Sequence, residues 1–265
     1  MEKNLTFQYG YVLKISKGVC INMAEVTQTT LDEATSVFSP IRTIKTPPIK
    51  VPPDLTLNTR LQMDGLELMR KLFNDTVPVV FFDPQFRGVY DKMQYGNEQT
   101  SRNNVRVKLP QMNESLIIDF ITEISRILIP SGHLFLWMDK FHLCSGDFNN
   151  WSDGTHLSVV DMLTWDKTKF GLGYRTRHQS EFCVILQKEP RRAKGVWTLR
   201  NIPDVWQEKI PKKTHPHTKP IDLQSKLIEA VTSEGDLVVD PAAGSFSVLE
   251  ACRLKSRNFL GCDII

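Results

Sequence analysis

Three short stretches of this 265-residue sequence set chemically useful side chains beside turn-forming ones. In Phe81-Phe82-Asp83-Pro84-Gln85-Phe86 a carboxylate follows an apolar run. Val77–Phe82 is rich in β-branched and aromatic residues and predicts a buried strand. Asp83 then stands at the strand's carboxyl end, where α/β sheets open their ligand crevice. Pro84 fixes the local φ and stiffens the turn. Asp83 and nearby backbone carbonyls can accept hydrogen bonds from an exocyclic amine, and Phe86 can stack on a planar base. The same residues also suit a plain strand-ending turn.

The second stretch is Asp240-Pro241-Ala242-Ala243-Gly244-Ser245, after the apolar Leu237–Val239 and before a helical pattern. Small residues let a ligand approach the backbone, and the helix that follows offers free amides. Asp240 can meet a ligand's ammonium or hydroxyl groups. Asp263, nineteen residues after Gly244, closes the next strand and suits the two hydroxyls of a ribose. An ordinary α/β turn would use the same glycine. The third stretch, His215-Pro216-His217-Thr218-Lys219-Pro220, precedes the helix Ile221–Val231, with Pro220 at its start and Lys219 near the crevice. Its histidines lack further ligands at zinc spacing, so no metal is expected.

The elements that must hold these residues follow from periodicity. Leu66, Met69 and Phe73 mark one helical face. Glu114–Leu128 is a strongly amphipathic helix stopped by Pro130-Ser131-Gly132. Strands are expected at Tyr9–Ile15, Val77–Phe82, His133–Met138, Leu157–Trp165, Glu181–Leu186, Leu237–Val239 and Phe259–Ile264, with helices near Leu31–Val37 and at Ile221–Val231 and Phe246–Leu254. Strands alternating with helices imply a doubly wound α/β fold with a mostly parallel sheet covered on both faces. Thr46–Pro53 is a proline-rich connector. It sets residues 1–57 apart as an appendage and leaves residues 58–265 as one domain. Residues Arg87–Pro110 read as a long mobile loop. Residues 188–214 break the alternation and read as an irregular insert.

Composition narrows the setting. A hydrophobic fraction of 41% is enough to bury a core. The net charge of +3 permits nucleic-acid binding without demanding it. Five scattered cysteines with no Cys-x-x-Cys pair read as reduced, core-filling thiols. Neither a signal segment nor a run of about 20 apolar residues is seen, which fits a cytoplasmic protein that does not enter a membrane.

Taken in order, the three stretches resemble the DNA amino-methyltransferases of the β arrangement. In that family an Asp-Pro-Pro-Tyr/Phe motif precedes a His-Pro-Thr-x-Lys-Pro-like segment and then an Asp-Pro-Phe-x-Gly-Ser-Gly turn. Here Asp83–Phe86, His215–Pro220 and Asp240–Ser245 stand in that order, and the resemblance covers roughly residues 58–265. Met63-Asp64-Gly65-Leu66-Glu67 looks like the family's Gly-Asp-x-Leu-Glu element, and Tyr174-Arg175-Thr176-Arg177 with Glu181 looks like its Tyr-Arg-x-x-x-Glu stretch. In the family a further helix follows the Asp263 strand; the expectation here is that this helix is absent or that residues 1–57 fill its place. Three departures stand out. Gln85 replaces a proline, Ala242 an aromatic residue, and Phe246 a glycine, so crowding of the cofactor turn is expected.

The resemblance implies a methyltransferase-like fold, S-adenosylmethionine as cofactor and duplex DNA as substrate. It makes Asp83, Pro84, Gln85 and Phe86 catalytic. It assigns Asp64, Lys219, Asp240, Pro241, Ala243, Gly244, Ser245 and Asp263 to the cofactor. DNA contacts are expected from Arg87, Tyr174, Arg175 and Arg177. The 188–214 insert adds Arg191, Arg192, Lys194 and Arg200, because Lys188–Lys213 carries eight Lys/Arg against three Asp/Glu with Trp197 and Trp206 interleaved. A solvated basic loop is the competing reading of that insert. Asp83 points to adenine-N6 methylation by base flipping. Cytosine-N4 methylation and an inactive DNA-binding subunit are the alternatives. A homodimer and a cognate restriction endonuclease system are implied by the family alone.

Overall fold

A computed structural model describes residues 3–6 and 12–15 as backbone, and residues 41–85, 112–171, 175–209 and 218–264 in full. The chain forms two compact units, Met1–Val37 and Phe38–Ile265. In the first, β1 (Lys3–Thr6) and β2 (Val12–Ile15) pair antiparallel. The helix expected at Leu31–Val37 and the loop expected at Arg87–Pro110 lie outside the described residues.

The second unit begins earlier than the boundary expected at residue 58, because the proline-rich connector is part of its surface. Arg42 pairs with Asp236 at 2.9 Å, and Leu55 is buried in the core. This unit is built around an eight-stranded sheet. In chain order its elements are β3 (Leu61–Gln62), α1 (Gly65–Arg70), β4 (Val77–Phe82), α2 (Glu114–Ile127), β5 (Leu128–Met138), α3 (Lys140–Ser145), α4 (Asp147–Ser152), β6 (Leu157–Asp166), β7 (Ser180–Lys188), β8 (Val205–Gln207), α5 (Ile221–Val231), β9 (Leu237–Asp240), α6 (Ser247–Leu254) and β10 (Asn258–Asp263). The sheet order is β3-β10-β9-β4-β5-β7-β6-β8.

The first five strands are parallel, as expected. Beyond β5 the sheet changes character: β7 is antiparallel to both β5 and β6, and β8 is parallel to β6. An apolar run does not encode its direction, so the sequence could not show this reversal.

One consequence of the topology is decisive for the site. The carboxyl ends of β4, β5, β9 and β10 lie at one end of the sheet, and the start of β7 lies there too, since Met138 faces Phe182. The end of β7 is at the opposite edge, where Gln187 faces His133. β4 is the central strand and is buried throughout. Pro78 removes a ladder donor, and the pairing shifts register there, between Val77 and Val79. On one face Phe82 stacks on Phe120 of α2 at 5.0 Å; on the other Phe81 packs on Phe135 at 4.8 Å. Phe82 shares its core with Ile117 and Ile121 of α2, and Phe81 shares the other core with Leu223 and Leu227 of α5, so helices cover both faces of the strand that ends in Asp83. Among the described residues no helix is long and apolar enough to cross a membrane.

Candidate active site

Three turns converge at the carboxyl end of the parallel strands. Asp64 caps α1, its Oδ1 accepting from the Glu67 amide at 3.0 Å, a standard way to satisfy a free helix donor. A β-carbon on Gly65 would lie 2.1 Å from the Pro241 carbonyl oxygen. Glycine is what lets the start of α1 press against the Asp240–Ser245 turn. That turn is held from the other side by Asp263, whose Oδ2 accepts from the Gly244 amide at 2.9 Å.

These turns enclose a cavity of about 350 Å³, a common size for a small-molecule site. Asp64, Asp83, Gln85, Lys219, Asp240, Pro241, Ala243, Gly244, Ser245 and Asp263 all line it. Thus the eight residues assigned to the cofactor and two of the four assigned to catalysis share one space. Pro84 is buried just behind it, and Phe86 lies outside the described residues. Sequence reasoning missed the apolar walls Phe81, Leu116, Phe120, Trp137 and Val248. Their helical and strand spacing marks them as core, which most of their neighbours are.

The crowding expected from Phe246 does not occur. Its backbone is left-handed, with φ of 59°, the conformation a glycine would take without strain. The ring turns away from the cavity, meets Phe259 edge-on at 6.2 Å, and lies under the Arg60 guanidinium at 5.4 Å. It lines a second, more open cleft behind the turn.

The electrostatics centre on Lys219. Its Nζ lies 2.8 Å from Asp83 Oδ2 and 2.9 Å from Glu181 Oε2, and 5.3 Å from the centre of the Trp137 ring. Lys167 forms a second ion pair with Glu181. Burial penalises the Lys219 ammonium, but Asp83 and then Glu181 outweigh that and raise its pKa. Burial alone would raise the Glu181 carboxyl, yet Lys219 and Lys167 push it down to about 2. Asp240 behaves oppositely. It is 5% exposed and receives one weak bond, from the Ala242 amide at 3.2 Å. Burial pushes its pKa up to about 8, and the charges of Asp83 and Asp263 add to the rise.

The residues expected to face DNA divide in two. Arg175 and Arg177 are exposed on the β6–β7 connection, at the cavity end of the sheet; Tyr174 and Arg87 lie outside the described residues. Arg191, Arg192 and Lys194 follow the end of β7 and so sit at the opposite edge. There Arg192 Nε donates to the Ser131 hydroxyl at 3.1 Å, and the Arg192 amide donates to Gln187. Arg200 comes soon after Thr198, whose amide donates to Ala230 at the far end of α5. The insert is basic, but its first half is not beside the cavity. No group of three or more His, Cys, Asp or Glu that could hold a metal occurs among the described residues. Cys183, Cys252 and Cys262 are buried free thiols, while the free thiol of Cys144 is exposed.

Comparison with known proteins gives this geometry its relatives. The chain is 54% identical over 210 residues, 79% of its length, to the Type II methyltransferase M.HhaII of Haemophilus parahaemolyticus, and covers 92% of that protein. It is 22% identical to the Type II methyltransferase M2.DpnII of Streptococcus pneumoniae over 76% of its own length and 82% of the other. Among solved structures, the M1.HpyAVI–SAM complex matches 77% of this chain and 92% of that one, with a TM-score of 0.56 at 20% identity. The cytosine-N4-specific PvuII DNA methyltransferase matches 80% and 83%, with a TM-score of 0.59 at 16% identity. At such identities these two structures establish the fold. The family described as DNA methylase, of the N6/N4 methyltransferases, matches residues 77–265, and with a relative more than half identical the conclusion is direct: the chain belongs to the N6/N4 DNA methyltransferase family.

Proposed function

We propose that this protein transfers a methyl group from S-adenosylmethionine to the N6 amino group of adenine in duplex DNA, with the target base turned out of the helix. The observation that carries the reading is the single cavity shared by the Asp83 carboxylate and the Asp240–Ser245 turn. A methyl donor and an acceptor must meet in line within a few ångströms, and shared confinement supplies much of the rate.

The cavity fits the cofactor. Asp64, Asp240 and Asp263 offer carboxylates to a ligand that carries positive charge and ribose hydroxyls, and Phe81, Phe120 and Trp137 offer apolar walls to its uncharged parts. When bound, the cofactor supplies an electrophilic methyl group. What the chain does is hold the nucleophile. An exocyclic base nitrogen is weakly nucleophilic because its lone pair is delocalised into the ring. A carboxylate that accepts one of its N–H bonds restores electron density to the nitrogen and is placed to receive the proton released on methylation. Asp83 has this role. Lys219, assigned to the cofactor by resemblance, is better read as a positioning residue. It holds Asp83 and is itself held by Glu181 and Trp137.

Extrusion of the base costs a few kcal/mol of unstacking. Asp83 favours adenine over cytosine because the resemblance associates aspartate at this position with adenine enzymes. The test is incubation with labelled S-adenosylmethionine and unmethylated mixed-sequence duplex DNA, followed by nucleoside analysis. N6-methyldeoxyadenosine is expected. N4-methyldeoxycytidine would keep the mechanism and overturn the target base, and the absence of any methylated nucleoside would overturn the reading as a whole.

A further inference from the structure

Phe170 is 72% exposed, more than any other large apolar side chain among the described residues. It stands on the connection between β6 and β7, at the cavity end of the sheet. Its setting is built rather than loose. The Lys167 amide donates to the Gln179 carbonyl at 2.9 Å and the Gly171 amide to the His178 carbonyl at 2.7 Å, so both sides of the loop's neck are paired. Asp166 Oδ1 accepts from the Thr168 amide and from Gln179, each at 2.7 Å. Thr168 has φ of 56°, a strained conformation for a β-branched residue, and it directly precedes Lys169 and Phe170. The carboxylate nearest in sequence is held inside the turn, and Lys169, Arg175 and Arg177 are exposed on the same connection.

The root of this loop belongs to the candidate active site. Lys167 pairs with Glu181, Glu181 with Lys219, and Lys219 with Asp83. Phe170 is three residues from Lys167, at most about 10 Å along the chain.

We propose that Phe170 is a wedge that enters the DNA base stack as the target base leaves it, with Lys169, Arg175 and Arg177 on the flanking phosphates. The proposal rests on the DNA-methylation reading above. An exposed apolar ring on a connection that also carries three exposed cations matches what a base step offers, a planar apolar interior between two charged strands. Inserted apolar side chains are a general device for holding an unstacked step open.

The recognition sequence is first read from the positions methylated in unmethylated bacteriophage DNA. Wild type, Phe170→Ala and Phe170→Trp are then compared on two duplexes that contain that sequence. One is fully paired and the other carries a mismatch opposite the target base, which is already half released. Phe170→Ala is expected to lower kcat/KM on the paired duplex by about 5- to 100-fold, the equivalent of one lost stacking partner. On the mismatched duplex it should recover to within about threefold of wild type, because extrusion is cheap there. Phe170→Trp should stay near wild type on both. Equal activity of Phe170→Ala and wild type on the paired duplex overturns the proposal. So does an equal loss on both duplexes, which would mark a general binding contact. If wild type methylates no DNA, the methylation reading fails before any variant is compared, and the wedge falls with it.

Discussion

At the scale of single residues, the site rests on two carboxylates with opposite environments. Asp83 is paired to a cation, and Asp83→Ala is expected to lower kcat by on the order of 10²–10⁴-fold while cofactor affinity, read by isothermal titration, stays almost unchanged. Loss of cofactor binding in that variant would refute the division of roles. Asp240 is the buried acid, with a pKa pushed up to about 8. A positively charged ligand favours its ionised form, so binding below about pH 8 should release a proton. Affinity should rise with pH and level off above that value. Titrations in two buffers of different ionisation enthalpy measure the proton directly, and Asp240→Asn should abolish it. The same shift has a sign for stability. The unfolded chain sheds this proton near the ordinary carboxylate value, around pH 4, whereas the folded protein keeps it to about 8. Asp240 therefore makes the ligand-free protein less stable as pH rises through that window. Glu181, pushed down to about 2, does the reverse: its contribution is present above its ordinary range and is lost as pH falls toward 2. The sequence showed which residues would meet, because Asp-Pro at a strand end and Asp-Pro-Ala-Ala-Gly-Ser before a helix are local signals. It could not show that Lys219 would bridge Asp83 and Glu181. That contact joins three distant segments, and no local pattern records it.

At the scale of elements, the cavity depends on close contact between α1 and the Asp240–Ser245 turn. Gly65→Ala puts a methyl group 2.1 Å from the Pro241 carbonyl, a backbone clash that cannot be relieved by a rotamer. It should cost about 3 kcal/mol or more in thermal unfolding and weaken cofactor binding by displacing the turn. Phe246→Gly should remove about 1–2 kcal/mol of left-handed strain but forfeit about 3–5 kcal/mol of aromatic burial. The net expectation is a less stable protein with unchanged cofactor affinity, since the ring faces away from the cavity. α2 and α5 were legible because each carries one clean helical period and a stop signal, and β4 because it is a short apolar run ended by Asp83-Pro84; α5 spans Ile221–Val231, as the pattern predicted. The six-residue helices α3 and α4 and the three-residue β8 were not. A six-residue helix completes fewer than two turns and three strand residues barely more than one alternation, so periodicity has little to act on; α1, equally short, was read only because its apolar spacing runs on to Phe73.

At the scale of the whole molecule, the two ends of the sheet have different work. The proposed chemistry and the exposed Arg175, Arg177 and Lys169 share one end, and Arg191, Arg192 and Lys194 stand at the other. Alanine at Lys169, Arg175 or Arg177 should each lower the slope of log K against log salt by about one. Triple alanine substitution at Arg191, Arg192 and Lys194 should leave that slope unchanged; a filter-binding salt series decides between the two sets. The basic count of residues 188–213 was legible in the sequence, but its position was not, because the direction of β7 decides which end of the sheet the insert reaches.

The ion pair between Lys219 and Asp83 has a consequence for how such a site fills. Lys219 holds Asp83 through Oδ2 and Glu181 through Oε2, so a base amine that donates to the Asp83 carboxylate adds a neutral donor to an ion pair already made. With Lys219 kept in place, the amine brings no charge of its own and strands none. The seating step then takes up and releases no ion, and it should add little to the salt dependence. What salt does to DNA binding is then read chiefly at the outer surface, which lets a simple salt titration separate the docking of the duplex from the seating of its base.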